Sequence, residues 1–186
     1  MLPLFLAVGG RRVVLVGGGP VAAAKLRQLV AAGAEVRVVA PEVEPDIQAA
    51  GVAIERRSFE PADLDDAWLV VAASTPDVNR AVADAAEVRR LFVNAVDDPA
   101  NASAFLSGVV RRDGVTIAIS TSGDAPALTS LLREALDAVL PDDLSLWLGE
   151  ARRQRAIWKR DNVPTVARRA LLLEALNKLY DEDQWL

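Results

Sequence analysis

The chain has 186 residues, 52% of them apolar and 25% charged, with neither cysteine nor histidine and a formal net charge of −5 at pH 7. That length can bury a substantial core, and the lack of cysteine excludes disulfides, thiolate metal sites and a cysteine nucleophile. Without histidine, the usual general base and commonest metal ligand, acid–base chemistry falls to carboxylates and no metal site is expected, while the acidic balance argues against broad nucleic-acid binding.

At the N-terminus, MLPLFLAVGG lacks a basic leader and is too short to serve as a signal peptide, and no apolar run reaches bilayer length. A cytoplasmic location without membrane contact is expected. The apolar stretch Leu2 to Val8 is expected to lie over a sheet edge or begin the sheet, in a structural role.

Arg11 to Val39 reads as strand, glycine turn, helix, strand. Val13 to Val16 is an unbroken branched apolar run, as in a parallel strand buried on both faces. Gly17, Gly18 and Gly19 allow positive φ angles and close approach of a ligand to the main chain. A helix follows from Val21 through Val30 and stops at Gly33, before a second strand, Val36 to Val39. Gly17, Gly19 and Ala22 match G-x-G-x-x-A, which presents free amides and a positive helix end to a pyrophosphate. The competing reading is a tight α/β turn with no ligand.

After the second strand come Ala40, Pro41 and Glu42. Glu42 lies two residues beyond the usual ribose-binding acid, so it either reaches the ribose from the loop or is simply solvated. No basic residue in that loop argues for a 2′-phosphate, which favours NAD. A short helix, Glu44 to Ala50, precedes a third strand, Val52 to Arg56, and Pro61 to Asp66 forms a turn. Trp68 to Ala73 is the fourth buried strand and runs into Ser74 and Thr75. These residues flank the cofactor at the carboxyl edge of the sheet, cap the helix Pro76 to Glu87, or do both. Asn79, in that helix's first turn, helps to close the cap.

The fifth strand, Leu91 to Asn94, delivers Asn94, Asp97 and Asp98 to the same edge. Either the carboxylate pair has a member tuned for proton transfer, or it shapes the turn before Pro99. Phe105 to Val110 and Val115 to Ser120 then read as a hairpin around Asp113-Gly114. A polar turn from Ser120 caps the helix Pro126 to Val139. Alone this hairpin and helix bury little core, which predicts pairing with a second subunit. Two more helices cover Asp143 to Arg160 and Pro164 to Tyr180. Arg152, Arg153, Arg155, Lys159 and Arg160 make the first of these basic, as a solvated face or as a wall for a polycarboxylate.

The expected fold is α/β: a Rossmann-like parallel sheet over residues 1–104, a β-hairpin-plus-helix dimerisation module over 105–141, and a small C-terminal helical region over 142–186. Assembled in order, the motifs LPLFL (Leu2–Leu6), VVLVGGGPVAAAK (Val13–Lys25), GAEVRVVAP (Gly33–Pro41), VVAAST with Asn79, FVNAVDDP (Phe92–Pro99) and IAISTSGDAPAL with LLREAL (Ile117–Leu136) closely resemble one family. It is the precorrin-2 dehydrogenases of siroheme synthesis, including the N-terminal half of bifunctional siroheme synthases.

The resemblance implies NAD-dependent oxidation of precorrin-2, or a related tetrapyrrole, to sirohydrochlorin by a homodimer. It marks Asp97, directly after N-x-V, as the catalytic base, and Pro20, Val21, Pro41 and Glu42 as cofactor-binding alongside the glycines and Ser74 and Thr75. Asn94 and Thr121 fall beside the substrate, and Arg111, Arg112 and Arg133 are candidates to pair with its carboxylate arms. Two departures stand out. Leu106, Ser107 and Gly108 occupy a stretch where the family often has proline. For the Fe²⁺ insertion that some relatives perform, only oxygen ligands are available, which argues against chelatase activity. The methyltransferase domain fused in some relatives is expected to be absent. A rival reading is a non-catalytic NAD-sensing module, which would have no use for a base at Asp97.

Overall fold

Five strands, β1 (Arg12–Val16), β2 (Glu35–Val39), β3 (Ala53–Glu55), β4 (Leu69–Ala72) and β5 (Phe92–Ala95), form one parallel sheet in the order β3-β2-β1-β4-β5. They belong to a computed structural model that describes residues 1–106 and 108–181. Three helices pack on this sheet: α1 (Pro20–Ala31), α2 (Pro45–Ala49) and α3 (Pro76–Val88). Alternate residues of β1 enter two separate cores. Val13 and Leu15 join Leu26, Leu29 and Ile47 on the side of α1 and α2, whereas Val14 and Val16 join Val82 and Ala86 on the side of α3. A strand buried on both faces has no polar side to show, which is why its sequence is continuously apolar.

The strand order reverses direction between β1 and β4, and open α/β sheets bind ligands in the crevice outside such a point. Val16, Ala72 and Ala95 stand in register at the carboxyl ends of β1, β4 and β5. The next residues continue the ladder, with Ala73 N–H donating to the Val16 carbonyl at 2.8 Å and Val96 N–H to the Ala72 carbonyl at 2.9 Å.

Several expectations need correction. The stretch from Leu2 to Val8 does not begin the sheet: Leu2, Leu4, Phe5 and Leu6 are exposed, and only Val8 at its end reaches the core. Trp68 precedes β4 and is 57% exposed, its ring covered by the Arg11 guanidinium at 4.0 Å from the centroid. Its bulk suits a cation–π contact at the strand entrance rather than the core. The turn expected at Pro61 to Asp66 is present, as a 3₁₀ turn over Pro61–Leu64 whose buried Asp63 takes both the Glu60 N–H and the Arg57 guanidinium.

The chain divides into two compact units: residues 1–106 with 120–125, and the described parts of 107–119 and 126–186. In the second, β6 (Gly108–Arg112) and β7 (Val115–Ile119) pair antiparallel, with Arg112 opposite Val115. Asp113 and Gly114, at φ 49° and 84°, form the two-residue turn that Asp-Gly favours. The first hairpin strand starts later than Phe105, because Phe105 and Leu106 pack within the first unit instead; Ser107 lies outside the described residues. Helices α4 (Pro126–Val139), α5 (Leu144–Arg160) and α6 (Thr165–Asp181) complete this unit. Arg112 ties the hairpin to α4 by donating to the Leu140 carbonyl at 2.6 Å and to Asp137 at 3.0 Å. On α5, Glu150 pairs with Arg153 and Asp161 with Arg160, while Arg152, Arg155 and Lys159 face solvent. Among the described residues no helix is long and apolar enough to cross a membrane.

Candidate dinucleotide and acid–base site

The glycine turn leaves β1 at the crevice, and its residues differ in what they permit. Gly17 has φ 125°, and a Cβ there would meet the Ala73 carbonyl oxygen at 2.2 Å. At Gly18 a Cβ would meet the Glu42 carbonyl oxygen at 1.8 Å, so these two glycines let three backbone segments touch. Gly19 is different: nothing lies within 4 Å of a Cβ built on it. It is the N-cap of α1, no side chain caps the helix, and the first helical bond runs from Ala23 N–H to the Gly19 carbonyl at 3.0 Å. The amides of Val21 and Ala22 precede that bond and so have no intrahelical acceptor, and the space over Gly19 at the positive end of the helix is open. This arrangement fits a diphosphate.

Beside the turn an open cleft of about 490 Å³ is lined by Val21, Ser74, Asn79, Arg80, Asp97 and Asp98, among others. It therefore brings together Val21, Ser74 and Asp97 from the expected set. Thr75 sits at the N-cap position of α3 but makes no capping hydrogen bond through its side chain. Asn79, 2% exposed, instead reaches back to the loop before the helix, where its Oδ1 accepts the Ser74 N–H at 3.0 Å. Pro41 and Glu42 are exposed in the loop after β2. The Glu44 N–H donates to the Gly18 carbonyl at 2.8 Å and holds this loop to the glycine turn.

The two readings of the acidic pair divide between its members. Asp98 shapes the turn before Pro99, its Oδ2 accepting from Asn101 Nδ2 at 2.7 Å. Asp97 makes no hydrogen bond or ion pair within 4.0 Å among the described residues; it is exposed in the cleft with a left-handed backbone at φ 55°. Asn94 is buried instead. Its Nδ2 donates to the Ala104 carbonyl at 3.0 Å, fastening the chain after Pro99 to β5, and its Oδ1 has no hydrogen-bond partner among the described residues. Thr121 belongs to the first unit, in a loop whose Gly123 packs against Pro99 and Phe105, and its Oγ1 accepts the Ala125 N–H at 3.2 Å. Arg111 and Arg133 belong to the second unit, where Arg111 is exposed and Arg133 pairs with Glu134 at 3.3 Å.

Two cations escaped the sequence reading. Arg80 lines the cleft from α3, one residue after Asn79. Lys25, on α1, is half-buried; burial pulls its amine below the usual lysine range, and the Asp97 carboxylate opposes that pull. The signal for Lys25 was present as the end of GGGxVAxxK, four residues after Val21. A further cavity of about 430 Å³ lies between α5 and α6, near Glu150, Trp158 and Lys178, within the second unit.

Comparison with known proteins follows the same division. Residues 4–108 match the family described as "Putative NAD(P)-binding", and residues 112–138 match "Sirohaem biosynthesis protein central". Siroheme synthase 3 of Aeromonas hydrophila subsp. hydrophila is 44% identical over 148 residues, covering 77% of this chain and 32% of that protein. Siroheme synthase of Sodalis glossinidius (strain morsitans) is 39% identical over 181 residues, 95% of this chain and 38% of its own. The chain thus spans about a third of the length of the curated relatives it matches. The solved structure of SirC, a precorrin-2 dehydrogenase, superposes with a TM-score of 0.71 at 27% identity, covering 94% of this chain and 88% of that one.

Proposed function

Since the chain belongs to the family described as putative NAD(P)-binding and carries a match to the sirohaem biosynthesis central model, we propose that it is a cytoplasmic precorrin-2 dehydrogenase, oxidising precorrin-2 to sirohydrochlorin with NAD⁺. The observation that carries this reading is the opening of one cleft between the uncapped start of α1 and the unpaired Asp97 carboxylate. The bound dinucleotide supplies the hydride acceptor, and oxidation removes one hydride and one proton from the tetrapyrrole. The open turn at Gly19 and the uncapped positive end of α1 hold the diphosphate; Ser74, fixed by Asn79, borders the cofactor. Asp97 takes the proton. Arg80 is the cation that the cleft itself presents to a carboxylate arm, and Thr121 of the same unit is a further substrate-side residue.

NAD⁺ is preferred over NADP⁺ on this reading, because Glu42 and Glu44 flank the loop after β2 and would repel a 2′-phosphate. Arg56, brought to the same edge by the pairing of Val39 with Glu55, is engaged by Gln48 at 2.9 Å. We assign the hairpin and α4 to a homodimer interface, with α5 and α6 as an appended helical region. Exposed Leu128, Leu131 and Leu132 on α4 support the assignment, and sedimentation at several concentrations tests it.

The deciding experiment follows absorbance while the protein is incubated anaerobically with precorrin-2 and NAD⁺, then with NADP⁺. Sirohydrochlorin formation by the wild type and its loss in Asp97→Asn are expected. An NAD-sensing module would bind the cofactor without turnover. Adding Fe²⁺ to the same assay tests for chelatase activity, which we do not assign to this chain.

A further inference from the structure

Lys25 follows Val21 by four residues on α1, so the two side chains share a helix face, and Val21 lines the cleft that holds Asp97. The inward side of the helix is otherwise apolar, with Ala22, Ala23, Leu26 and Leu29 buried. Lys25 therefore sits half-buried at the border of core and cleft. Among the described residues its amine has no hydrogen bond and no ion pair within 4.0 Å. A partly desolvated ammonium is costly unless an opposite charge stands in its field. Asp97 supplies that charge. Asp97 for its part has a like-charged neighbour, Asp98, whose Oδ2 is taken by Asn101, and no direct partner to hold its own carboxylate.

Resting on the reading of Asp97 as the base, we propose that Lys25 is a positioning residue for Asp97: from α1, one turn beyond the cleft-lining Val21, its ammonium attracts the carboxylate and fixes its place in the cleft. Lys25 acts through Asp97 and need touch neither cofactor nor tetrapyrrole.

The test uses the full chain. Lys25→Met keeps the length of the side chain and removes the charge, whereas Lys25→Arg keeps the charge. Lys25→Met is expected to lower kcat for precorrin-2 about tenfold or more, with the Kd for NAD⁺ moving less than about twofold, and Lys25→Arg to retain most of the rate. In an Asp97→Asn background, Lys25→Met is expected to bring less than about a twofold further loss. An equal loss in both backgrounds overturns the proposal, as does an NAD⁺ Kd that rises as much as kcat/KM falls. If the wild type does not turn over precorrin-2, the functional reading fails on its own account, and the coupling is read from urea unfolding of the wild type, both single variants and the double. Single-variant losses that simply add overturn the role of Lys25; a double variant that loses less than their sum upholds it.

Discussion

Gly18 lies against Glu42 so closely that a methyl group on Gly18 would come within 1.8 Å of the Glu42 carbonyl oxygen. The obstacle is backbone, which cannot swing aside, and the Glu44 N–H bond to the Gly18 carbonyl ties the two segments together. Gly18→Ala is therefore expected to destabilise the protein by about 3 kcal/mol or to leave it insoluble. Gly19→Ala meets open space at a φ of −82° that any residue adopts. It should keep stability within about 1 kcal/mol yet weaken NAD⁺ binding about tenfold, because the methyl group occupies the diphosphate position. Urea unfolding and cofactor titration of the two variants check the contrast. A stable Gly18→Ala, or a Gly19→Ala with undiminished affinity, would contradict it.

Asn79 makes a second prediction. Its buried Oδ1 accepts the Ser74 N–H and so shapes the loop between β4 and α3 at the edge of the cleft. Asn79→Ala leaves that N–H without a protein partner and should cost about 1–2 kcal/mol in unfolding free energy. The loop also borders the cofactor on the reading given above, so the Kd for NAD⁺ should rise several-fold. Thr75→Val, at the N-cap position whose side chain makes no capping bond, should change stability much less.

That contrast marks where the amino-acid sequence was legible. Val13–Val16 and Leu69–Ala72 read correctly as strands because both faces of each are buried, and Asp113-Gly114 read as a hairpin because its backbone needs positive φ angles. Leu2–Leu6 and Trp68 misled because apolar character alone does not say what a residue meets: the first remain exposed, the second meets Arg11. That Asn79 rather than Thr75 makes the side-chain bond at this helix start depends on a side chain reaching back from α3 to the Ser74 N–H, which local preference does not rank. Lys25 and Arg80 gain meaning only when α1, α3 and the turn after β5 are brought around one cleft, and no short window of sequence contains all three.

Asp63 and Arg57 bear on acid stability. Asp63 Oδ2 accepts from Arg57 Nη1 at 2.8 Å and from the Glu60 N–H at 2.8 Å, and its side chain is only 4% exposed. Hydrogen bonding to Arg57 holds the carboxyl below the usual aspartate range, with smaller help from the Glu60 amide, although burial acts in the opposite direction. A depressed carboxyl pKa stabilises the fold above the unfolded value of about 3.9, and the contribution is lost as pH falls through the lower folded value. Asp63→Asn should thus destabilise by about 1–3 kcal/mol at pH 7, the lower end reflecting the partial exposure of Arg57. The difference from wild type should shrink below about pH 4. Urea midpoints measured from pH 7 to pH 2.5 test this, and a difference that stays constant with pH would assign the effect to packing.

The backbone at Asp97 allows chemistry to be separated from strain. A left-handed φ of 55° is tolerated by aspartate and asparagine better than by alanine, because their short polar side chains bond locally. Asp97→Asn keeps this tolerance and the shape of the side chain but removes its capacity to accept a proton as a base. Asp97→Ala removes both. If Asp97 is the base, both variants should lose turnover of precorrin-2 by a factor of about 10² to 10⁴, while Asp97→Ala alone should also lose about 1 kcal/mol of stability. Asp97→Gly should recover that stability, since glycine takes positive φ freely, without recovering turnover. Steady-state kinetics and thermal unfolding of the three variants distinguish the cases. Activity that returns with stability in Asp97→Gly would mean that this residue serves the turn and that proton removal belongs elsewhere in the cleft.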